Sequence, residues 1–226
     1  MAISLVKGQT IDLRKNDKGE SFDLSNVTIG LGWDIRKSPG GGGFFGKLLG
    51  GNSKEEEYDL DAIAFLLDKN GKVADLGRTL KTNDGRNLSL HQGDVIFFNS
   101  QQHPSGHIWL TGDNRTGAGD GDDEQIIVKL DSLDPRFERI LFLVTIYQGR
   151  QRNQHFGMVE NCFIRAVDKN GKEIARYNIS GDATYNNMCG MIFAEVYRKD
   201  GTWKFRALGE PKPNDSFVEI LKNYVY

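Results

Sequence analysis

Only two cysteines occur in the 226 residues, so neither a disulfide framework nor a zinc knuckle is available. Cys162 and Cys189 stand among apolar neighbours and read as small buried hydrophobes. Excess charge is lacking too. The formal net charge of −2 gives no broad attraction for nucleic acid or for an anionic membrane. No apolar run approaches the roughly 20 residues that span a bilayer. The N-terminal stretch MAISLVKGQTIDL turns polar too soon for a signal peptide, so the expected location is the cytoplasm. Catalytic signatures are missing as well: no Ser/His/Asp pattern, no H-E-x-x-H and no Walker A lysine.

The chain does contain many short β-rich runs punctuated by turn residues. Val27–Trp33, Ala62–Leu67, Asp94–Asn99, Ile126–Leu130, Ile140–Tyr147, Cys162–Val167 and Met191–Arg198 predict strands. Gly30 and Gly32 within the first of these predict a bulge or a close approach by another part of the chain. DKNGK occurs at 68–72 and again at 168–172, and its Asn-Gly pair predicts a type I′ hairpin each time. Lys199–Thr202 predicts a further hairpin, with Trp203–Arg206 returning. This density of strands and turns predicts an all-β fold, a β-sandwich of two antiparallel-rich sheets in a single domain over residues 1–226.

One helix is expected at about 215–225, where Phe217, Ile220, Leu221 and Tyr224 fall at helical spacing behind Asp215-Ser216. A shorter helical turn is expected from Asp134-Pro135. Residues 39–53, PGGGGFFGKLLGGNS, form a glycine-rich insertion read as a mobile surface loop. Its apolar island at 44–49 could touch a partner or a membrane surface. His103 and His107 share a face only on a helix, which Pro104 and Gly106 oppose, so both are read as loop residues.

The richest chemistry lies at residues 112–124, GDNRTGAGDGDDE. Hard cations such as Ca²⁺ take six to eight oxygens in flexible geometry. The loop offers five carboxylates, Asp113, Asp120, Asp122, Asp123 and Glu124, with the side-chain oxygens of Asn114 and Thr116. Glycines such as Gly119 let backbone carbonyls turn inward as well. Asp113 and Glu124 take the first and twelfth positions of an EF-hand loop, yet Arg115, Gly117 and Ala118 break its interior pattern. The loop therefore belongs between strands. Asp59 and Asp61 lie two apart at the mouth of the Ala62 strand, on one side of an extended chain, and are expected to share the metal. Calcium is favoured over magnesium by the number of oxygens and the suppleness of the loop, and more than one ion could fit.

Together with VTIGLGWD at 27–34, DLDAIAFLLDKNGKV at 59–73 and FGMVENCFIRAVD at 156–168, this loop resembles the TerD-type tellurite-resistance and bacterial stress proteins. The resemblance runs from about residue 2 to 206. It implies a calcium-binding β-sandwich of the bacterial cytoplasm, with protein partners in a stress-response complex. Its acidic pattern carries over onto Asp59, Asp61, Asp113, Asn114, Asp120, Asp122 and Glu124. The segment Tyr185–Gly190 and the tail from Pro211 depart from that pattern. The expected function is a non-enzymatic calcium module whose occupancy orders a partner-binding surface. The rival is a metal-dependent phosphoester hydrolase, with Asp59, Asp61 and Asp120 as ligands and Arg115 clamping the anion.

Overall fold

A computed structural model describes residues 2–16, 18–35, 58–81, 87–111, 121–179 and 183–226. The expected loop at 39–53 and positions 112–120 lie outside the described residues.

Two six-stranded sheets pack face to face. The first runs β1 (Ile3–Leu5), β12 (Glu173–Ile179), β11 (Val159–Val167), β3 (Val27–Ile35), β9 (Glu124–Val128) and β8 (Ile108–Leu110). The second runs β2 (Thr10–Asp12), β14 (Thr202–Lys212), β13 (Gly190–Lys199), β10 (Arg139–Ile146), β4 (Leu60–Leu67) and β7 (Val95–Ile96). All neighbours are antiparallel except β1 on β12. A separate ribbon pairs β5 (Arg78–Lys81) with β6 (Asn87–His91).

The period-2 pattern decides which side chains enter the sandwich. Ile126 and Val128 of β9 point inward, as do Ile29 and Leu31 of β3 and Leu60, Ala62, Ala64 and Leu66 of β4. The other face of β4 is apolar too. Ile63, Phe65 and Leu67 join Leu141, Leu143 and Ile192 in a second cluster closed by Phe217, Ile220 and Leu221. Burial on both faces explains why Ala62–Leu67 reads as an unbroken apolar run without alternation.

The closing helix, α2, is shorter than expected: Phe217–Leu221, continued by a 3₁₀ turn over Lys222–Tyr224. Ser216 makes no side-chain cap, and Asp215 turns instead to the backbone N–H of Arg150 at 3.1 Å, on the short helix α1 (Gly149–Arg152). Asp134-Pro135 starts no helix. The Phe137 N–H closes a single turn onto the Asp134 carbonyl at 3.0 Å, after a 3₁₀ turn at Leu130–Ser132.

Both DKNGK turns share one geometry, and it is not type I′. In each, the aspartate (Asp68 or Asp168) accepts from the N–H groups two and four residues on, and only the glycine has positive φ, +72° at Gly71 and +78° at Gly171. The second turn joins the β11–β12 hairpin as expected. The first joins no hairpin: β7 takes the edge of β4 away from β10, and beyond the turn the Val73 N–H donates to the Tyr224 carbonyl at 2.7 Å. The turn between β13 and β14 is the true two-residue type, with Asp200 at φ +52° and Gly201 at +68°. Cys162 and Cys189 are buried and free, as the sequence suggests.

Candidate functional site

The acidic loop returns to the fold at Gly121, and the three residues that follow it are held by three different devices. Asp122 lies over the outer face of the first sheet. Its carboxylate accepts from Arg165 Nε at 2.7 Å and from Gln125 Nε2 at 3.2 Å, and its side chain is only 2% exposed. It fits because Gly30 beneath it has no side chain; a methyl group there would strike the carboxylate. Gly32 performs the same service for the Phe163 ring and for the Gly121 carbonyl, which would stand 2.8 Å from an added Cβ. The two glycines are close-approach positions, and the nearby bulge falls on the neighbouring strand between Glu160 and Phe163.

Asp123 extends the β3 ladder past the end of β9. Its N–H donates to the Leu31 carbonyl at 2.7 Å, and its carboxylate accepts from the Trp33 N–H at 2.9 Å. Burial pushes this carboxyl above the ordinary range. The Trp33 hydrogen bond opposes that shift, and the neighbouring charges of Asp34 and Asp122 reinforce it.

Glu124 faces inward between the sheets, with Ile126 and Val128, and is 3% exposed. A buried carboxylate requires a donor, and one comes from the opposite sheet. Strand β7 pairs only with Ala64 and Phe65, so the Ala62 N–H lacks a ladder partner on that side, and Glu124 Oε2 accepts it. This bond ties the end of the acidic loop to the residue after Asp61. Asp61 stands opposite the buried Thr145 of β10, and the Asp59 carbonyl accepts from the Tyr147 N–H at 2.8 Å.

Glu124 thus meets the backbone of Ala62 at one end of the sandwich, while Asp61, and Asp59 two before it, take the face of β4 that carries Ile63 and Phe65, opposite the inward face on which Glu124 lies. Asp122 and Asp123 lie on the first sheet, held by Arg165 and Trp33. Asp113, Asn114, Thr116, Gly119 and Asp120 lie outside the described residues. Among the described residues no three or more His, Cys, Asp or Glu side chains form a metal cluster. The donors in place at 59, 61 and 122–124 are all oxygens, the chemistry that suits a hard cation and not zinc. His103 and His107 lie in or beside the turn before β8, as loop residues, and play no part here.

Arg165 belongs, with Arg150 and Arg152, to the basic part of the sequence, and no motif there marks it as the partner of Asp122. Its guanidinium joins Asp122 and, at 3.0 Å, Glu173, which Arg176 also holds at 3.0 Å. Arg176 stacks on the Phe163 ring with its guanidinium 4.0 Å from the centroid.

Comparison with known proteins agrees with this architecture. The TerD domain family model matches residues 1–224. The chain is 55% identical over 227 residues to tellurium resistance protein TerX of Serratia marcescens, with 100% of both chains covered. It is 40% identical over 226 residues to stress response protein SCP2 of Bacillus subtilis (strain 168), again over 100% of both. Tellurium resistance protein TerD of Serratia marcescens is 39% identical over 211 residues, covering 93% of this chain and 91% of that protein. Among solved structures, a homologue of telluride resistance protein (TerD) from Streptomyces coelicolor A3(2) superposes with a TM-score of 0.56. It has 23% identity and covers 86% of this chain and 94% of that chain, a likeness of fold.

Proposed function

Because the chain belongs to the TerD domain family, whose relatives carry tellurium-resistance and stress-response names, we propose that its acidic end is a calcium-binding site serving a stress response by binding and not by catalysis. The observation that carries this reading is the Glu124–Ala62 bond. It spends a buried carboxylate on joining the loop terminus to the strand that bears Asp59 and Asp61. Asp59, Asp61 and Glu124 would hold the ion together with oxygens from Asp113, Asn114, Thr116, Gly119 and Asp120, and Asp122 and Asp123 would brace the loop through Arg165 and Trp33. A bound Ca²⁺ supplies positive charge that offsets the mutual repulsion of these carboxylates.

The functional consequence is order. Carboxylates crowded at one end of a sandwich repel one another, and neutralising them fixes the loops that a partner protein would read. The rival hydrolase reading needs an acid–base residue among these carboxylates, and none is placed by a recognisable motif. In a cytoplasmic setting the partner would be another protein of the stress response.

Hydrogen–deuterium exchange on chelator-stripped protein tests the reading. Peptides spanning 58–62 and 121–125 should exchange at least tenfold more slowly when Ca²⁺ is added. Unchanged exchange in both, at millimolar Ca²⁺, would refute it.

A further inference from the structure

At the far end of β4, about 17 Å from Asp61 at the rise of an extended strand, lies a polar network that the calcium reading does not use. Asp94, fully buried at the start of β7, accepts from Arg136 through both terminal nitrogens, at 2.6 and 3.0 Å, and from the Asp75 N–H at 3.0 Å. Its Oδ1 also faces His103 Nε2 at 3.2 Å. A carboxylate offers only acceptors, so the proton of the imidazole sits on Nε2 and Nδ1 is left with its lone pair.

That lone pair faces Ser105. Its Oγ lies 2.8 Å from Nδ1, and its backbone N–H points to the same nitrogen at 3.1 Å. The His107 N–H donates to Ser105 Oγ at 3.2 Å. The hydroxyl proton is thus directed at the imidazole, one oxygen lone pair is occupied by His107, and the second remains for an incoming carbonyl carbon. The imidazole is buried and held edge-on by the Phe137 ring, 5.6 Å between centroids at 85°. Ser105 is exposed.

Beside it opens a groove of about 490 Å³, within the range of small-ligand sites. His103 and Pro104 form part of its wall, with the carboxamides of Gln92, Asn99, Gln101 and Gln102. The Phe98 ring, 41% exposed, adds an apolar surface.

We propose that Ser105, His103 and Asp94 form a nucleophilic relay at this groove that hydrolyses small carboxylic esters. Ser105 Oγ bonds to the ester carbonyl carbon while its proton passes to His103 Nδ1. The bond from that carbon to the alkoxy oxygen breaks, and the leaving alcohol takes the proton back from Nδ1. Water then attacks the acyl-serine by the same route, releasing the acid and restoring the hydroxyl. Ser105 and His103 are the catalytic residues, and Asp94 is a positioning residue that sets the tautomer.

The test is made on the full chain with p-nitrophenyl acetate and with a fluorophosphonate probe mapped by peptide mass spectrometry. The phosphonyl adduct is expected on Ser105, with at least a tenfold fall in ester turnover in Ser105→Ala, whose exposed site spares the fold. Asp94→Asn, with folding verified by circular dichroism, should slow phosphonylation of Ser105 at least tenfold, an effect that loss of a purely structural contact would not produce. Labelling should persist in excess chelator, since the relay is independent of the calcium site. Equal turnover by Ser105→Ala and the parent chain, or an adduct mapped to any other residue, would overturn the proposal and leave His103 and Ser105 as a turn lock.

Discussion

Asp122 is held on the outer face of the first sheet, and Arg165 is its counter-charge. Removing the guanidinium leaves a carboxylate with 2% of its side chain exposed and, among the described residues, Gln125 as its remaining side-chain partner. Breaking a buried pair from one side costs about 3 kcal/mol, so Arg165→Ala should lower stability by about that much in urea denaturation at pH 7. A second readout lies in Glu173. Burial alone would raise its carboxyl, but Arg176 and then Arg165 outweigh burial and hold it below the ordinary value of 4.5. A carboxyl depressed in the folded state contributes stability that is present above its unfolded pKa and is lost as pH falls through the folded pKa. NMR titration should therefore find Glu173 below 4.5 in the parent chain and shifted upward in Arg165→Ala. Part of the stability gap between the two proteins should close as pH falls below 4.5 and Glu173 protonates. An unshifted Glu173 would show that Arg165 does not reach it in solution.

At the scale of elements, the C-terminal segment shows how far local pattern carries. Phe217, Ile220 and Leu221 announce an apolar helical face, and that face does close the second sheet. Phe217 sits 5.0 Å from Phe97 and 6.4 Å from Phe65, ring to ring. Phe217→Ala should cost about 3 kcal/mol in thermal or urea unfolding, and a loss below about 1 kcal/mol would mean that the segment is not docked. The sequence overestimated the helix because the tail after Leu221 is claimed by long-range bonds, with Lys72 Nζ reaching the Asn223 carbonyl at 3.1 Å and Val73 reaching Tyr224. The first DKNGK hairpin does not form, because β7 already fills the edge of β4 that a returning strand would need. The repeat fixes a local turn, but whether a strand returns depends on what else competes for the edge. Long runs such as Ala62–Leu67 and Ile140–Tyr147 were legible from composition alone. The three-residue strands at Ile3, Thr10 and Ile108 were not, because so short a segment carries no periodicity and is defined by its neighbours. Asp94–Asn99 failed differently, shrinking to Val95–Ile96 as its later residues turn into the groove wall.

For the molecule as a whole, the two ends of β4 divide the chemistry. One end carries the bond from Glu124 to Ala62, next to Asp61. The other buries Asp94 beneath His103 and Ser105. The acidic end was legible because its oxygens are concentrated in one short stretch and in one pair at i and i+2. The reach of Glu124 to Ala62 was not, since it joins two sheets across 62 positions of chain. The relay escaped notice because its residues carry no motif spacing, and only the turn at 103–106 and the β7 start bring them together. The most direct measurement is isothermal titration of chelator-stripped protein with Ca²⁺ and Mg²⁺, repeated on the Asp59→Asn, Asp61→Asn double variant. The expected result is Ca²⁺ binding in the micromolar-to-millimolar range, weaker binding of Mg²⁺, and at least a tenfold loss of Ca²⁺ affinity in the variant. No heat of Ca²⁺ binding to the parent chain across that range, or affinity unchanged by the two substitutions, would contradict the calcium site at this end of the sandwich.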